Sequence, residues 1–238
     1  MDQGSLWELI KDLDGFADRR GTALSTQVCK GRSFQLITIP GKGNDFELST
    51  RVKVRLLEDG YECWFDLRDL LAQAIKRNHF QAKFISEDEI QNRLPSILKW
   101  VEKANSKHNE YLWGGTVGPN FDCSGLVQAA FASQEIWLPR DAYQQERFCK
   151  PIEVKPDKYE NLLPGDLLFF GTDKRCTHVA LYLKNGFYWH SSGLQNGRNA
   201  IGMDCLHPSD ANPVACYYRS LLRGAGRVQC CHDGTTLP

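Results

Sequence analysis

The sequence has no excess charge of either sign: its 238 residues carry 29 basic and 29 acidic side chains. Without a net positive field, nucleic acid and an anionic membrane surface are disfavoured as partners, and a small or neutral partner is favoured. No stretch approaches the roughly 20 consecutive apolar residues of a membrane span. The amino terminus, MDQGSLWELIKDLDGF, lacks both a basic start and a continuous apolar run. It does not read as a signal peptide, and a cytoplasmic location is expected. Paired Cys-x-x-Cys spacing is also missing among the nine cysteines. Cys176 lies near His178, and Cys230 and Cys231 lie near His232, but neither group has the spacing of a structural zinc site. No metal and no cofactor are expected. Scattered and odd in number, the cysteines read as reduced thiols and not as a disulfide framework. Internal repeats and low-complexity tracts are absent too.

What is present is enough apolar residue, 42%, for a buried core, and a pattern that divides in two. From Phe34 to Leu67 the chain favours short strands, with FQLITI and then Val52, Val54 and Leu56 alternating against Arg51, Lys53 and Arg55. Turn signals fall at Pro40-Gly41 and Asp59-Gly60. This is the texture of a small antiparallel barrel with a limited core. The polar segment from Leu67 to Arg93 reads as a connection, although Ser86 and Glu89 could cap a short helix. Pro95 reads as a first-turn proline of a helix running to about Lys107, with Ile97, Leu98, Val101 and Ala104 at helical spacing. The glycines and proline between Tyr111 and Asp122 predict a loop, and CSGLVQAAFASQ predicts a helix with Leu126, Val127, Ala130 and Phe131 on one face. Beyond Pro164-Gly165, DLLFFG, THVALYLK and FYWHSS predict neighbouring antiparallel strands. The expected division is a first domain over 1–80, a linker over 81–94 and a second, α+β domain over 95–238.

Chemistry enters at Cys123. A thiol attacks a carbonyl as thiolate, and a helix amino terminus lowers a thiol pKa through its unpaired N–H groups. Cys123 is the cysteine that the pattern places there. A cysteine taken at random is more often a small buried apolar residue, but the glycines before it would let a substrate backbone approach closely. A nucleophile of this kind needs a base, and the base needs an orienting group. His178 and His190 can supply both. They are twelve residues apart, an even separation, so two hairpin strands bring them to one sheet face only through an odd-length connection or a bulge. A two-residue Asn185-Gly186 turn would separate the faces. A three-residue loop over Lys184-Asn185-Gly186, with Gly186 left-handed, would restore the shared face.

YLWGG followed by FDCSGLVQAAF, then LPRDAYQQ, LPGDLLFFG, THVALYL and LRGAGRV, resemble in that order the NlpC family of papain-like cell-wall cysteine peptidases. The resemblance runs from Pro95 to about Val228. RVKVRLLEDGYECWF resembles the bacterial SH3-like domain that precedes the catalytic domain in a subgroup acting on free murein peptides. The resemblance implies a papain-like α+β domain behind a small all-β SH3-like barrel. It also implies a catalytic triad of Cys123, His178 and His190, with the Tyr111 hydroxyl and the Cys123 N–H stabilising the oxyanion. The subgroup hydrolyses the γ-D-glutamyl–diamino acid bond of murein tripeptides or tetrapeptides with a free amino-terminal L-alanine. Asp141 matches the acid that faces that ammonium, and Tyr61 matches an aromatic that closes the pocket. Trp113, Asp122 and Ser124 complete the candidate substrate-binding set, although packing is a fair competing reading for Tyr111 and the better one for Trp113. Asp141 could instead pair with the adjacent Arg140 on the surface. Ala142 stands where some members carry serine. Two other readings stay open: the same Cys–His chemistry on another amide or in acyl transfer, and a non-catalytic wall-peptide-binding module.

Overall fold

The computed structural model describes residues 2–38, 50–154 and 159–235; the turn expected at Pro40-Gly41 lies outside them. The first unit is a seven-stranded antiparallel sheet among the described residues. Its strands are β1 (Leu6–Leu9), β2 (Leu13–Phe16), β3 (Leu24–Val28), β4 (Ser33–Thr38), β5 (Arg51–Leu56), β6 (Glu62–Asp66) and β7 (Ala74–Arg77), with a one-turn helix α1 (Leu67–Leu70) before β7. The order is β3-β2-β6-β5-β4-β1-β7. The expected alternation in β5 is real: Val52, Val54 and Leu56 are buried while Arg51, Lys53 and Arg55 are half-exposed. They meet Phe34, Leu36 and Phe65 in one core, where the Phe34 and Phe65 rings pack edge to face at 5.4 Å. The strands β1 to β3 were not expected, because they are four or five residues long and mix polar with apolar residues.

Of the expected linker over 81–94, residues 81–86 carry no regular element, but residues 87–94 belong to a helix. Residues Glu87–Asn105 form a single 19-residue helix, α2, and Pro95 sits in its interior instead of its first turn. A capping box decides the start: Ser86 Oγ accepts from Glu89 N at 3.4 Å, and Glu89 Oε2 accepts from Ser86 N at 3.0 Å. A buried stripe of Ile90, Leu94, Ile97 and Val101 then continues through the proline. An interior proline costs about 3 kcal/mol, and burying four aliphatic side chains at about 1.5–3 kcal/mol each outweighs it. The polar segment from Leu67 to Arg93 thus holds α1, β7 and the first turns of α2.

The second unit is built on a sheet of order β12-β11-β10-β9-β13-β8. Its elements after α2 are α3 (Cys123–Ala132), α4 (Ala142–Phe148), β8 (Lys150–Ile152), β9 (Leu167–Thr172), β10 (Arg175–Lys184), β11 (Phe187–Ser192), β12 (Ala200–Cys205), α5 (Pro213–Ser220) and β13 (Leu222–Arg227). The three apolar runs are β9, β10 and β11, paired antiparallel as expected. Their unbroken apolar character has a cause: both faces of the sheet are covered. Leu167, Phe169, Val179 and Leu181 pack towards α2 and α3, while Leu168, Phe170, Ala180 and Tyr182 pack towards Val214 and Tyr218 of α5.

The two units share buried polar contacts. Gln128 Nε2 of α3 donates to Asp59 Oδ2 at 2.8 Å and Arg140 Nε donates to Thr26 Oγ1 at 3.0 Å. Arg32, itself ion-paired with Glu58 and Asp59, lies over the Trp137 ring at 4.4 Å. Gly114, with φ +81, passes so close to Leu24 that an added Cβ would lie 2.8 Å from its side chain.

Candidate active site

Cys123 is the first residue of α3, as the pattern predicts, and Asp122 is the N-cap. Asp122 Oδ1 accepts from Gly125 N at 2.6 Å, and Oδ2 accepts from Gly114 N at 2.8 Å. The same carboxylate takes Arg140 Nη2 at 2.6 Å and Nη1 at 3.2 Å, and Arg140 Nη1 also donates to Ser124 Oγ at 3.0 Å. Asp122 and Ser124 are therefore committed to holding the loop, the helix end and Arg140 together. Arg140 is buried against Asp122, so the surface pair between Arg140 and Asp141 does not form. Burial, and then the charge of Asp122, push the Cys123 thiol up to about 12, against the pull of the Val179 and Ser124 backbone N–H groups. Both causes disfavour the thiolate.

The base side is a chain of three buried groups. His178 Nε2 and His190 Nδ1 are 2.8 Å apart, and His190 Nε2 lies 2.7 Å from Asp204 Oδ2. Arg198 Nη2 holds the other oxygen of Asp204 at 2.6 Å. Burial, and then the neighbouring His190, hold His178 well below the usual histidine range. His190 is lowered by burial against the pull of Asp204. Burial pushes the Asp204 carboxyl up, but the bonds from His190 and Arg198 outweigh it and keep the group below its ordinary value. The Tyr218 ring stacks on His178 at 4.1 Å, its hydroxyl held by Ser192 and Asn196 at 2.9 Å each.

The parity problem of the two histidines is solved differently from expectation. The turn is the two-residue Asn185-Gly186 form, both at positive φ (51° and 81°), with Lys184 paired to Phe187. A bulge between Tyr182 and Lys184 supplies the extra residue and returns His178 and His190 to one face. A second bulge, between Cys176 and His178, turns Cys176 to the opposite core.

Tyr61, Tyr111, Trp113, Asp122, Cys123, Ser124 and Asp141 all line one cavity of about 540 Å³ between the units. His178, 7% exposed, and His190, fully buried, are not among the residues that line it. Ala142 lies in the wall with no hydroxyl to offer. Trp113 is 72% exposed, so it is a rim and not a packing residue. Burial, and then the charge of Asp141, raise the Tyr61 hydroxyl; burial, and then Cys123, raise that of Tyr111. Asp141 is raised by burial against the attraction of Arg140. A larger cavity, about 590 Å³ beside Trp100, Trp137 and His232, contains none of the expected site residues. Sequence reasoning missed Asp204, Arg198 and Tyr218. The available signal for Asp204 was an acid inside the apolar strand AIGMDC.

Residues 108–207 match the model of the NlpC/P60 family. The chain carries an NlpC/P60 domain, which lies in its α+β second unit. Over 91 residues it is 44% identical to the bifunctional muramidase/DL-endopeptidase CwlT of Bacillus subtilis, covering 36% of this chain and 26% of that protein. Over 97 residues it is 42% identical to a gamma-D-glutamyl-L-lysine dipeptidyl-peptidase of Bacillus cereus, covering 40% of this chain and 28% of the relative. The matches thus span about a quarter of these relatives' length. Among solved structures, NlpC2 from Trichomonas vaginalis shares the fold over 95% of this chain and 99% of its own, with a TM-score of 0.50 at 16% identity.

Proposed function

We propose that this chain is a cysteine peptidase that hydrolyses the γ-D-glutamyl–L-diamino acid bond of murein tripeptides or tetrapeptides bearing a free amino-terminal L-alanine, in the recycling of wall peptides in the cytoplasm. The observation that carries the reading is a thiol at a helix end, opening into a pocket with Asp141 and Tyr61, and backed by a histidine pair 2.8 Å apart. We read the first unit as an SH3-like domain that closes that pocket.

The neutral thiol and neutral imidazole set the order of events. Separated charges are disfavoured at two buried groups, so His178 takes the thiol proton as sulfur attacks the carbonyl carbon. The tetrahedral oxyanion is met by the Cys123 N–H, which opens α3 and has no intrahelical acceptor, and by the Tyr111 hydroxyl. His178 returns the proton to the departing amino group of the diamino acid, leaving a thioester. Water then attacks the thioester, with His178 as its base, and frees the L-alanyl-D-glutamate and the thiol. Asp141 in the pocket wall suits an ammonium. An acetylated amino terminus would leave that partly buried carboxylate unpaired.

The test compares L-Ala-γ-D-Glu-diaminopimelate with its N-acetyl form by mass spectrometry, in the intact protein and in Tyr61→Ala and Asp141→Ala. Cleavage of the free form at the expected bond, abolished in Cys123→Ala, is the expected result. Comparable rates on both forms in the intact protein would remove the amino-terminal gate, and no cleavage of either would favour another amide.

A further inference from the structure

We propose that Asp204 is a positioning residue that fixes the tautomers of both histidines, and that Arg198 makes that setting one-way. The argument is a count of donors and acceptors. Asp204 is an anionic carboxylate and accepts only, so at 2.7 Å it requires a proton on His190 Nε2. Arg198 Nη1 also approaches that nitrogen, but at 3.4 Å it is the more distant neighbour. With its proton on Nε2, His190 presents a lone pair at Nδ1. His178 must then donate from Nε2 across 2.8 Å, which leaves its Nδ1 unprotonated. That is the tautomer a general base for the thiol needs.

The surroundings are built for this arrangement. His190 is fully buried, and the Asp204 side chain is 1% exposed. Gly202 sits directly opposite His190 in the β11–β12 pair. A Cβ there would fall 2.0 Å from Arg198 Nη1, so the glycine leaves the space that the guanidinium occupies. Arg198 in turn binds Oδ1 of Asp204 at 2.6 Å and turns Oδ2 to the histidine.

Arg198 gives the idea a sharp test. A guanidinium only donates, so in Asp204→Asn the amide oxygen must face Arg198 and the amide NH2 must face His190 Nε2. His190 then carries its proton on Nδ1, His178 accepts at Nε2, and the proton of His178 moves to Nδ1, the nitrogen that would have to take the thiol proton. The base is lost although every atom keeps its place. Wrong-tautomer error of this kind costs on the order of 10⁴ in kcat in the Ser-His-Asp enzymes. Adding Arg198→Met frees the amide to rotate and present its oxygen to His190, so the double variant should recover activity.

The measurement is ¹⁵N-resolved imidazole NMR of the intact protein and Asp204→Asn, with kcat and KM for Asp204→Asn, Arg198→Met and the double variant. The activity arm rests on the peptidase reading; the tautomer arm does not. Expected are protons on His178 Nε2 and His190 Nε2 in the intact protein, and both protons moved to Nδ1 in Asp204→Asn. In the same variant kcat should fall at least 10²-fold with KM little changed, and the double variant should regain at least tenfold. A merely structural role would make the double variant worse than either single one. The opposite tautomers in the intact protein, where no variant has to fold, would overturn the proposal. So would unchanged tautomers in Asp204→Asn, or no recovery in the double variant.

Discussion

Asp122 and Asp204 are both buried carboxylates gripped by an arginine, one behind the nucleophile and one behind the base, yet their anchors differ. Arg140 reaches Asp122 across the helix end and its remaining nitrogen is held by Thr26 of the first unit. Arg198 and Asp204 are six residues apart in one stretch of chain that borders β11, and they need nothing from the first unit. The nucleophile side is thus stabilised by the contact between units, whereas the base side is self-contained. The cost of damage should follow: chemistry is lost at the base side, and fold and interface are lost at the nucleophile side.

The largest effect should come from the base side. His178→Asn removes the proton acceptor, and removal of a catalytic histidine or its carboxylate partner in a related constellation costs on the order of 10⁶ and 10⁴ respectively. His190→Asn can still present an amide oxygen to His178 Nε2, so it should retain at least about tenfold more activity than His178→Asn. Single-turnover rates with circular dichroism as a fold check decide it; equal and complete loss in two folded variants would remove the distinction.

On the nucleophile side, Asp122→Ala deletes the cap, frees two backbone N–H groups and leaves Arg140 as a buried, unpaired cation. Breaking one partner of such a pair costs about 3–5 kcal/mol. Urea denaturation should show a loss of that size, and a loss under about 1 kcal/mol would mean that Arg140 finds another partner.

The smallest effect sharpens the comparison through pH. His178 and His190 are depressed in the folded state, so the unfolded chain binds protons that the folded chain does not. Stability should be full above the unfolded value near 6.5 and should fall as pH drops below it, by up to about 1.4 kcal/mol per pH unit per histidine. The buried His232 adds to the same slope. Unfolding free energies measured from pH 7.5 to 5.5 should show this fall, reduced in His190→Asn and unchanged in Thr26→Val. An equal slope in all three proteins would place the titration elsewhere.

How much of this could be read beforehand depended on how local the cause was. The helix start at Cys123 was legible because a glycine-rich loop and an apolar helical face adjoin in sequence. β9 to β11 were legible because burial on both faces leaves unbroken apolar runs between turn residues. The start of α2 was misplaced because Pro95 is a strong local signal, and a buried stripe formed by tertiary packing overrode it. The hairpin parity was correctly posed but wrongly solved, since a bulge at Tyr182 leaves no mark in composition. Asp204 was missed because its partners become neighbours only once β11 and β12 pair. Asp122 and Ser124 were placed in the right wall, but their commitment to Arg140 could not be seen without it.

The hydrogen bond from Gln128 to Asp59 has a bearing on heredity and on protein engineering. An amide of the helix that starts at Cys123 ends on a carboxylate of another unit, and Arg32 and Trp137 close over the same place. Cutting the chain between the units would break a paired seam: Gln128 would keep only its bond to Leu138 O, and Arg140 would lose its bond to Thr26. Gene fusion or swapping that transplants the second unit alone should therefore yield a weaker protein. The portable cassette in this chain is the pair of units, with the seam carried along intact.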